Sequence, residues 1–504
     1  MPLSRRRLML ASAALPLARP AAAAPDDALR FGLSAYPPNL QPWVSTGQAA
    51  ATVKLLMFRG LLSFAPDGQL RGELAERWER DGDTGWVFHL RDAVFQSGAP
   101  VTAADVAWTI DQVRGPQSTA YMKGQLAGVK TVETPDPRTV RIVMQQPTVT
   151  LPLWMANAQM PIIEQKSMRD GGTPVGAGPY KITSQERGVA IELAAFDKFY
   201  KPGLPKTRRI RMVVYADENL RLAALRAGDV DIIEYVPWQS MQQLESDPNF
   251  RLQGSVGPFM NLLFNGRTGP FTDARVRLAT AYAIKREDIV QAAFFGRGSV
   301  LGGMPIPPGT EFFDADLANV WSYDPDRAKS LLAQAGVANG FSCTLLSTAQ
   351  YGMHKTTAEV VQQHLAAIGI QVKLDLPEWG QRVALGNRGQ YEFAVFGTSA
   401  DNNDPDGLQT VLDGQLPASY GRSAFMPTPE IDALFATGQR EFDPKKRHAI
   451  YRQLQQVALQ TAPMVTLTWR TQAYGMAKRV QGFTSLPGPL STNSGVTLET
   501  TYLA

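Results

Sequence analysis

The densest run of chemically capable side chains in this 504-residue chain is Asp401-Asn402-Asn403-Asp404-Pro405-Asp406-Gly407, with Asp413 shortly after it. Asn402, Asp404, Asp406, Gly407 and Asp413 fall on positions one, three, five, six and twelve of a calcium loop. Pro405 sits awkwardly inside that loop, however, and the first and last positions carry Asn and Asp rather than the usual Asp and Glu. A second chemistry open to the segment is capture of a cation: one carboxylate facing a low-dielectric cleft would pair strongly with a ligand ammonium. The third reading is a solvated turn, since Asp, Asn, Pro and Gly are all turn formers.

Catalytic chemistry finds less support. The four histidines, His89, His354, His364 and His448, form no His-Glu-x-x-His pair. There is no Gly-x-Ser-x-Gly elbow and no Gly-Lys-Ser/Thr phosphate loop, and Gly296, Gly298 and Gly302 miss the dinucleotide spacing. His89 falls on the polar side of a strand and His364 beside the apolar stripe of a helix, which makes both structural rather than metal ligands. The lone cysteine, Cys343, lies in an apolar run and reads as core filling; it permits neither an intrachain disulfide nor lipid attachment near the N-terminus. No catalytic residue, metal site or cofactor is expected.

Charge narrows the partners. The formal charge of +4 traces to Arg5, Arg6, Arg7 and Arg19, because residues 1–23 carry no acid; the remainder holds 46 basic and 46 acidic side chains. A neutral remainder gives no electrostatic case for nucleic acid. The first 23 residues have the layout of an export signal: a basic start, an apolar run from Leu8 to Ala18, then Ala21 to Ala24. That run is too short to span a bilayer. Ser4-Arg5-Arg6-Arg7-Leu8-Met9 resembles a twin-arginine signal, and cleavage is expected after Ala23. A soluble periplasmic protein follows.

The length exceeds what one core ordinarily serves, so at least two lobes are expected. Trp86 to Arg91 alternates as a half-buried strand. Thr102 and Asp105 form a capping-box spacing ahead of the stripe Val106, Ile110, Val113. From Phe341 to Ser347 a strand is predicted; a helix follows on Ala358, Val361, Leu365 and Ile368, closed by Gly369. Ile370 to Leu376 reads as a second strand, a short helix follows Trp379, and Tyr391 to Gly397 reads as a third strand. Such alternation predicts an α/β lobe with a partly parallel sheet, and ligands of such sheets sit beyond the carboxyl ends of the strands. The acidic segment lies at that end of the third strand.

These pieces occur in a recognisable order. Asn39-Leu40-Gln41-Pro42, Arg59-Gly60-Leu61-Leu62, Asp67-Gly68 and Leu74-Ala75-Glu76-Arg77-Trp78 are followed by Trp86 to Arg91 and by Val101 to Val106. Then come Gly176 to Ile182, Gly228-Asp229-Val230-Asp231, Pro270-Phe271, Arg275-Val276-Arg277 and Tyr282-Ala283-Ile284. From about residue 30 to 480 the chain resembles the family 5 extracellular solute-binding proteins of bacterial ABC importers, whose members bind dipeptides, oligopeptides, nickel or opines. The resemblance implies a two-lobe periplasmic-binding-protein fold of class C type, with mixed sheets and an inter-lobe ligand cleft. It places the main subdomain of the first lobe at residues 24–50, 170–256 and 470–504, its extra subdomain at 51–169, and the second lobe at 257–469, hinged through two adjacent crossing segments. It implies capture of a peptide or amino-bearing solute by a monomer that delivers it to a permease and ATPase complex. An opine or metal chelate is the alternative ligand, and an exported hydrolase the remote one.

The resemblance also assigns residues. Ala400 to Asp406 is similar to the segment whose aspartate holds a peptide's amino group, which makes Asp401 the ammonium partner, with Asn402 beside it. The Trp-Thr that precedes this segment in relatives is Thr398-Ser399 here, so Trp379 is expected to supply the aromatic wall. Thr46 and Gly47, and the hinge-side Phe259 and Asn261, match regions that line the cleft. Ser347 to Met353 contains no Arg, so the carboxylate-binding arginine of dipeptide binders has no counterpart there.

Overall fold

A computed structural model describes residues 28–504, so the expected export signal lies outside the described residues. The local predictions hold where periodicity was strong. Gly85–Leu90 is a strand with Phe88 and Leu90 buried. Ala103–Arg114 is a helix capped as anticipated: Thr102 Oγ1 accepts from the Asp105 amide while Asp105 Oδ2 accepts from the Thr102 amide, and Val106, Ile110 and Val113 are fully buried. The reciprocal bonds satisfy two amides that the first turn would otherwise leave without partners.

The strand Phe341–Leu346, helix Gly352–Ala366, strand Ile370–Asp375, helix Trp379–Asn387 and strand Phe393–Thr398 follow the predicted order. Phe341–Leu346 is the central strand of the three and pairs in parallel with both others. Gly369 turns the chain with φ 93°, a conformation that costs a residue with a Cβ. Cys343 is buried on this sheet, where burial pushes its thiol up to about 12, so it stays protonated.

The eleven-stranded main sheet runs through the whole molecule. Its middle is formed by two long antiparallel strands, Phe250–Phe264 and Met464–Ala477. At one end Met464–Ala477 pairs with Ile232–Ile233, which joins Ala28–Leu33 and the strands beyond it. At the other end Phe250–Phe264 pairs with Phe393–Thr398. The same two strands therefore belong to two halves of the sheet.

Their register slips between Val256 and Phe259, which places a bulge at Gly257-Pro258. A Cβ on Gly257 would lie 2.1 Å from the carbonyl carbon of Gly488, so only glycine allows the C-terminal segment to cross there.

Three buried apolar clusters surround this frame. One contains residues between Leu222 and Ala473. A second joins Leu61 to Ala177 with Leu486, Leu490 and Val496, around the four-stranded sheet built on Gly85–Leu90. The third joins Leu29 to Leu56 with strands near residues 180–212 and with Tyr474 to Leu498. Apolar burial of this extent is what stabilises each unit.

Candidate functional site

A cavity of about 930 Å³, including the part open to solvent, lies between these clusters. Ser45, Gly47 and Gln48 reach it from the start of helix Gln48–Met57, and Tyr121, Asn157 and Gln159 from the second cluster's region. The opposite wall is Tyr351, His354, Trp379, Phe396, Tyr420 and the run Thr398 to Asp401. Tyr235 and Arg470 line it close to the crossing strands.

The acidic segment separates into distinct jobs. Asp404 is clamped by Arg447 through two contacts of 2.6 and 2.7 Å. Asp406 accepts from the Trp154 indole at 2.8 Å and from Gln439 at 2.7 Å; burial and then the neighbouring Asp404 push its carboxyl up to about 6. Asn402 turns inward, its Oδ1 accepting the Asp404 amide, and does not line the cavity. With Asp404 and Asp406 taken up by these donors, the calcium-loop pattern does not converge, and no group of three or more metal-capable side chains exists among the described residues.

Asp401 alone of these carboxylates faces the cavity. Its Oδ1 accepts from the Tyr121 hydroxyl and its Oδ2 from Asn157 Nδ2, each at 3.0 Å and each from the opposite wall. Both donors are neutral. Burial therefore dominates and pushes the carboxyl up to about 7, with nearby Asp406 adding to the rise and Arg422 opposing it.

Trp379, at the start of its helix, packs edge-on against Tyr351 (5.3 Å) and Tyr420 (5.8 Å) between ring centres. Gly47, at φ 103°, fits beneath it: a Cβ there would lie 3.2 Å from the indole nitrogen. The aromatic wall is thus wider than the single residue expected, and it continues through Phe396, 5.4 Å from Tyr420.

Of the expected residues, the structure brings Asp401, Trp379 and Gly47 together on the cavity. Thr46 is buried beside Gly47 but is not part of the lining. Phe259 is buried against Trp469 at 6.0 Å between ring centres, and Asn261 is buried with its amide on Met464; neither reaches the cavity. Their strand passes beneath the site, with those side chains committed to the core.

The residues that sequence reasoning missed come from elsewhere in the chain. Tyr121 and Asn157 hold Asp401 from 280 and 244 residues away, a pairing that no local spacing encodes. Arg470 left a fainter trace: a charge in the middle of the run Met464 to Ala477, which is otherwise largely apolar or threonine-bearing. His354 is 1% exposed; burial, and then Arg382 and Arg470, depress its pKa far below the ordinary value and keep it neutral.

Comparison with known proteins agrees with this architecture. Residues 69–418 match the model for bacterial extracellular solute-binding proteins, family 5. The glutathione-binding protein GsiB of Escherichia coli K12 is 28% identical over 465 residues, covering 89% of this chain and 90% of that protein. The periplasmic binding protein AgaA of A. tumefaciens R10, solved with agropinic acid, is 38% identical with a TM-score of 0.92 over 95% of this chain and 99% of that one. The Helicobacter pylori binding protein DppA, solved with the peptide STSA, shares the fold at a TM-score of 0.86 and 23% identity, over 94% of this chain and 98% of that one. Two halves of one sheet joined by paired crossing strands, a cavity between them and a family match over most of the chain lead to one assignment: this protein belongs to the family 5 extracellular solute-binding proteins, the substrate-binding components of ABC importers.

Proposed function

We propose that this chain captures a small amino-bearing solute, peptide-like in its polar groups, and that Asp401 holds the solute's ammonium as two lobes close. The observation that carries this reading is the state of Asp401. It is a carboxylate facing the cavity, it is raised to about 7 by burial, and no cationic nitrogen lies within 4.0 Å of it among the described residues. An ammonium would restore the ionised form and exchange two neutral bonds for a charge-assisted one. Tyr121 and Asn157 reach Asp401 across the cleft, so the group that would bind the solute also ties the two walls together.

The lobes we assign are residues 24–50, 170–256 and 470–504 with the subdomain 51–169, and 257–469. The second and third apolar clusters and the bulge at Gly257-Pro258 support this division, while the first cluster runs across the boundary and joins Leu222 to Leu244 with the second lobe. Closure about the crossing strands is a hinge motion around ligand. The protein acts as a monomer in the periplasm after export by a twin-arginine-like signal ending at Ala23, and hands its solute to a permease and ATPase complex without altering it. A second ligand class, an opine acid, is favoured by one observation: the 38% identical AgaA was solved with agropinic acid.

Native mass spectrometry of the gently purified mature protein, with identification of what denaturation releases, tests the reading. An amine-bearing solute is expected, and Asp401→Ala is expected to lose it. Retention of the same solute by Asp401→Ala at unchanged affinity removes Asp401 from the site. Turnover of chromogenic esters or peptides would overturn the non-catalytic reading.

A further inference from the structure

Arg221, Arg286, Arg382 and Arg470 are each 2% exposed or less. Three of them are spent on the backbone. Arg286 donates to the carbonyl oxygens of Leu301, Thr466, Ala281 and Trp321. Arg221 donates to those of Tyr215, Glu234 and Tyr235, and Arg382 to those of Tyr420 and Val395. Arg470 differs. It lines the cavity and reaches no backbone carbonyl: its Nη1 donates to Gln472 Oε1 at 2.7 Å, the Tyr235 phenol lies beside it, its Nε, like Arg382 Nε, has no partner, and no carboxylate lies within 4.0 Å of it among the described residues.

The atoms around it are also unmet. Gln472 is fully buried and, once its oxygen is given to Arg470, its Nε2 donor has no acceptor. His354 shares the cavity wall with Arg470; it is neutral, with a single N–H, and adds no second cation there. Buried donors without acceptors are rare, and each costs free energy unless something occupies the site. Tyr235 reinforces the arrangement. It holds φ at 50°, a region that non-glycine residues seldom adopt, fixed there by Arg221 on its carbonyl, and its ring lies 5.8 Å from the Arg470 guanidinium.

We propose that Arg470, backed by Gln472 and flanked by His354, is an anion subsite that takes a carboxylate of the transported solute. The inference rests on the reading that this cavity is the ligand site, and it names the ligand class: a small amino-derived acid with its amine on Asp401 and its acid on Arg470. A single guanidinium neutralises a monoanion. With Asp401 as the other charge lining the cavity, a zwitterion leaves the closed site neutral, whereas a phosphate dianion would not. The clamp absent from Ser347 to Met353 is supplied instead from a crossing strand, so acid binding acts directly on the element that joins the lobes.

The test is calorimetric titration of the mature protein with matched probes: glutathione, a set of dipeptides and mannopinic acid, each beside its carboxamide. At least one acid is expected to bind, with its amide about 100-fold weaker or worse, because a site built for a charged acceptor rejects the analogue that lacks it. Arg470→Gln should remove most of that preference. Because Arg470 is buried, Gln472→Glu serves as the second variant: it supplies an internal counter-ion at the Arg470 contact, should melt no lower than the parent, and should still lose the acid. Equal binding of acid and amide, a preference that survives both variants, or no acid bound at millimolar concentration overturns the proposal. Asp401→Asn with N-acetylated probes keeps the two readings apart. Loss of acid discrimination belongs to Arg470, loss of amine discrimination to Asp401, and either can fail alone.

Discussion

Two groups of buried charge in this molecule follow opposite rules. Near the C-terminus, Glu73 and Glu499 are surrounded by Arg59, Arg71 and Lys201, with contacts of 2.8 Å (Arg59 to Glu499), 3.0 Å (Arg71 to Glu73), and 2.9 and 2.7 Å (Lys201 to Glu73 and Glu499). Burial works to raise the Glu73 pKa, but Lys201, Arg59 and Arg71 outweigh it and hold the carboxyl far below the usual range. In the cleft, Asp401 and Arg470 face a cavity with no counter-ion in reach, and burial prevails: it raises the acid and depresses the base. The first arrangement satisfies itself and stabilises the fold. The second, on the reading proposed above, is completed by a solute that enters.

Substitution should therefore separate stability from affinity, and the largest effect is expected at the self-satisfied cluster. Glu73→Ala leaves Arg59 and Lys201 buried with one acid between them and should lower unfolding stability by about 3 to 5 kcal/mol. Denaturant melts would show it. Solute affinity of the folded fraction should stay unchanged, and a selective loss of affinity would break the contrast.

Asp401→Ala should do the reverse. Affinity for an amine-bearing solute is expected to fall by roughly 3 kcal/mol, more than about 100-fold, because the ammonium would be buried without its partner. The solute-free protein should be no less stable, and Asp401→Asn should stabilise it by about 1 to 3 kcal/mol at pH 8, where the native carboxyl is ionised at a cost. Parallel calorimetry and thermal melts distinguish these effects.

The two groups also differ in the sign of their pH dependence. Asp401 is raised above its unfolded value, so its cost to stability is complete above about pH 7 and is relieved progressively as pH falls toward the unfolded pKa of about 3.9. Amine affinity should weaken by about tenfold per unit below pH 7, because the protonated carboxyl must first release its proton. Glu73 is depressed, so its contribution is complete above the unfolded pKa of about 4.3 and is lost only in stronger acid. Titrations between pH 5 and 8 should show affinity moving while the Glu73 cluster holds. The smallest effect is expected at Gly47→Ala, where φ 103° and the indole of Trp379 at 3.2 Å should together cost about 1 kcal/mol and weaken affinity modestly.

Much of the scaffold was legible from periodicity. The strand at Trp86, the helix capped by Thr102 and the alternating elements between Phe341 and Thr398 all formed, because each is a local pattern whose apolar face has one side to bury. The places of Asp401 and Trp379 on the cavity were anticipated too, through the family resemblance. Phe259 and Asn261 were placed near the cleft through the family resemblance, yet they sit in the core, because their strand is covered on both faces and Met260 between them is buried too.

Spacing along the chain was enough to set the α/β elements, the family resemblance and the acidic turn at the edge of the sheet. Which charge is spent on a partner and which is left unpaired was settled by folding. Asp404 meets Arg447 and Asp406 meets Trp154, while Asp401 is left to Tyr121 and Asn157, and Arg470 has Gln472 and the Tyr235 ring but no carboxylate within 4.0 Å among the described residues. A carboxylate in the chain carries the same charge wherever it stands. Its pKa and its partner are set by burial and by groups hundreds of residues away, and these exist only once the sheet has brought them together.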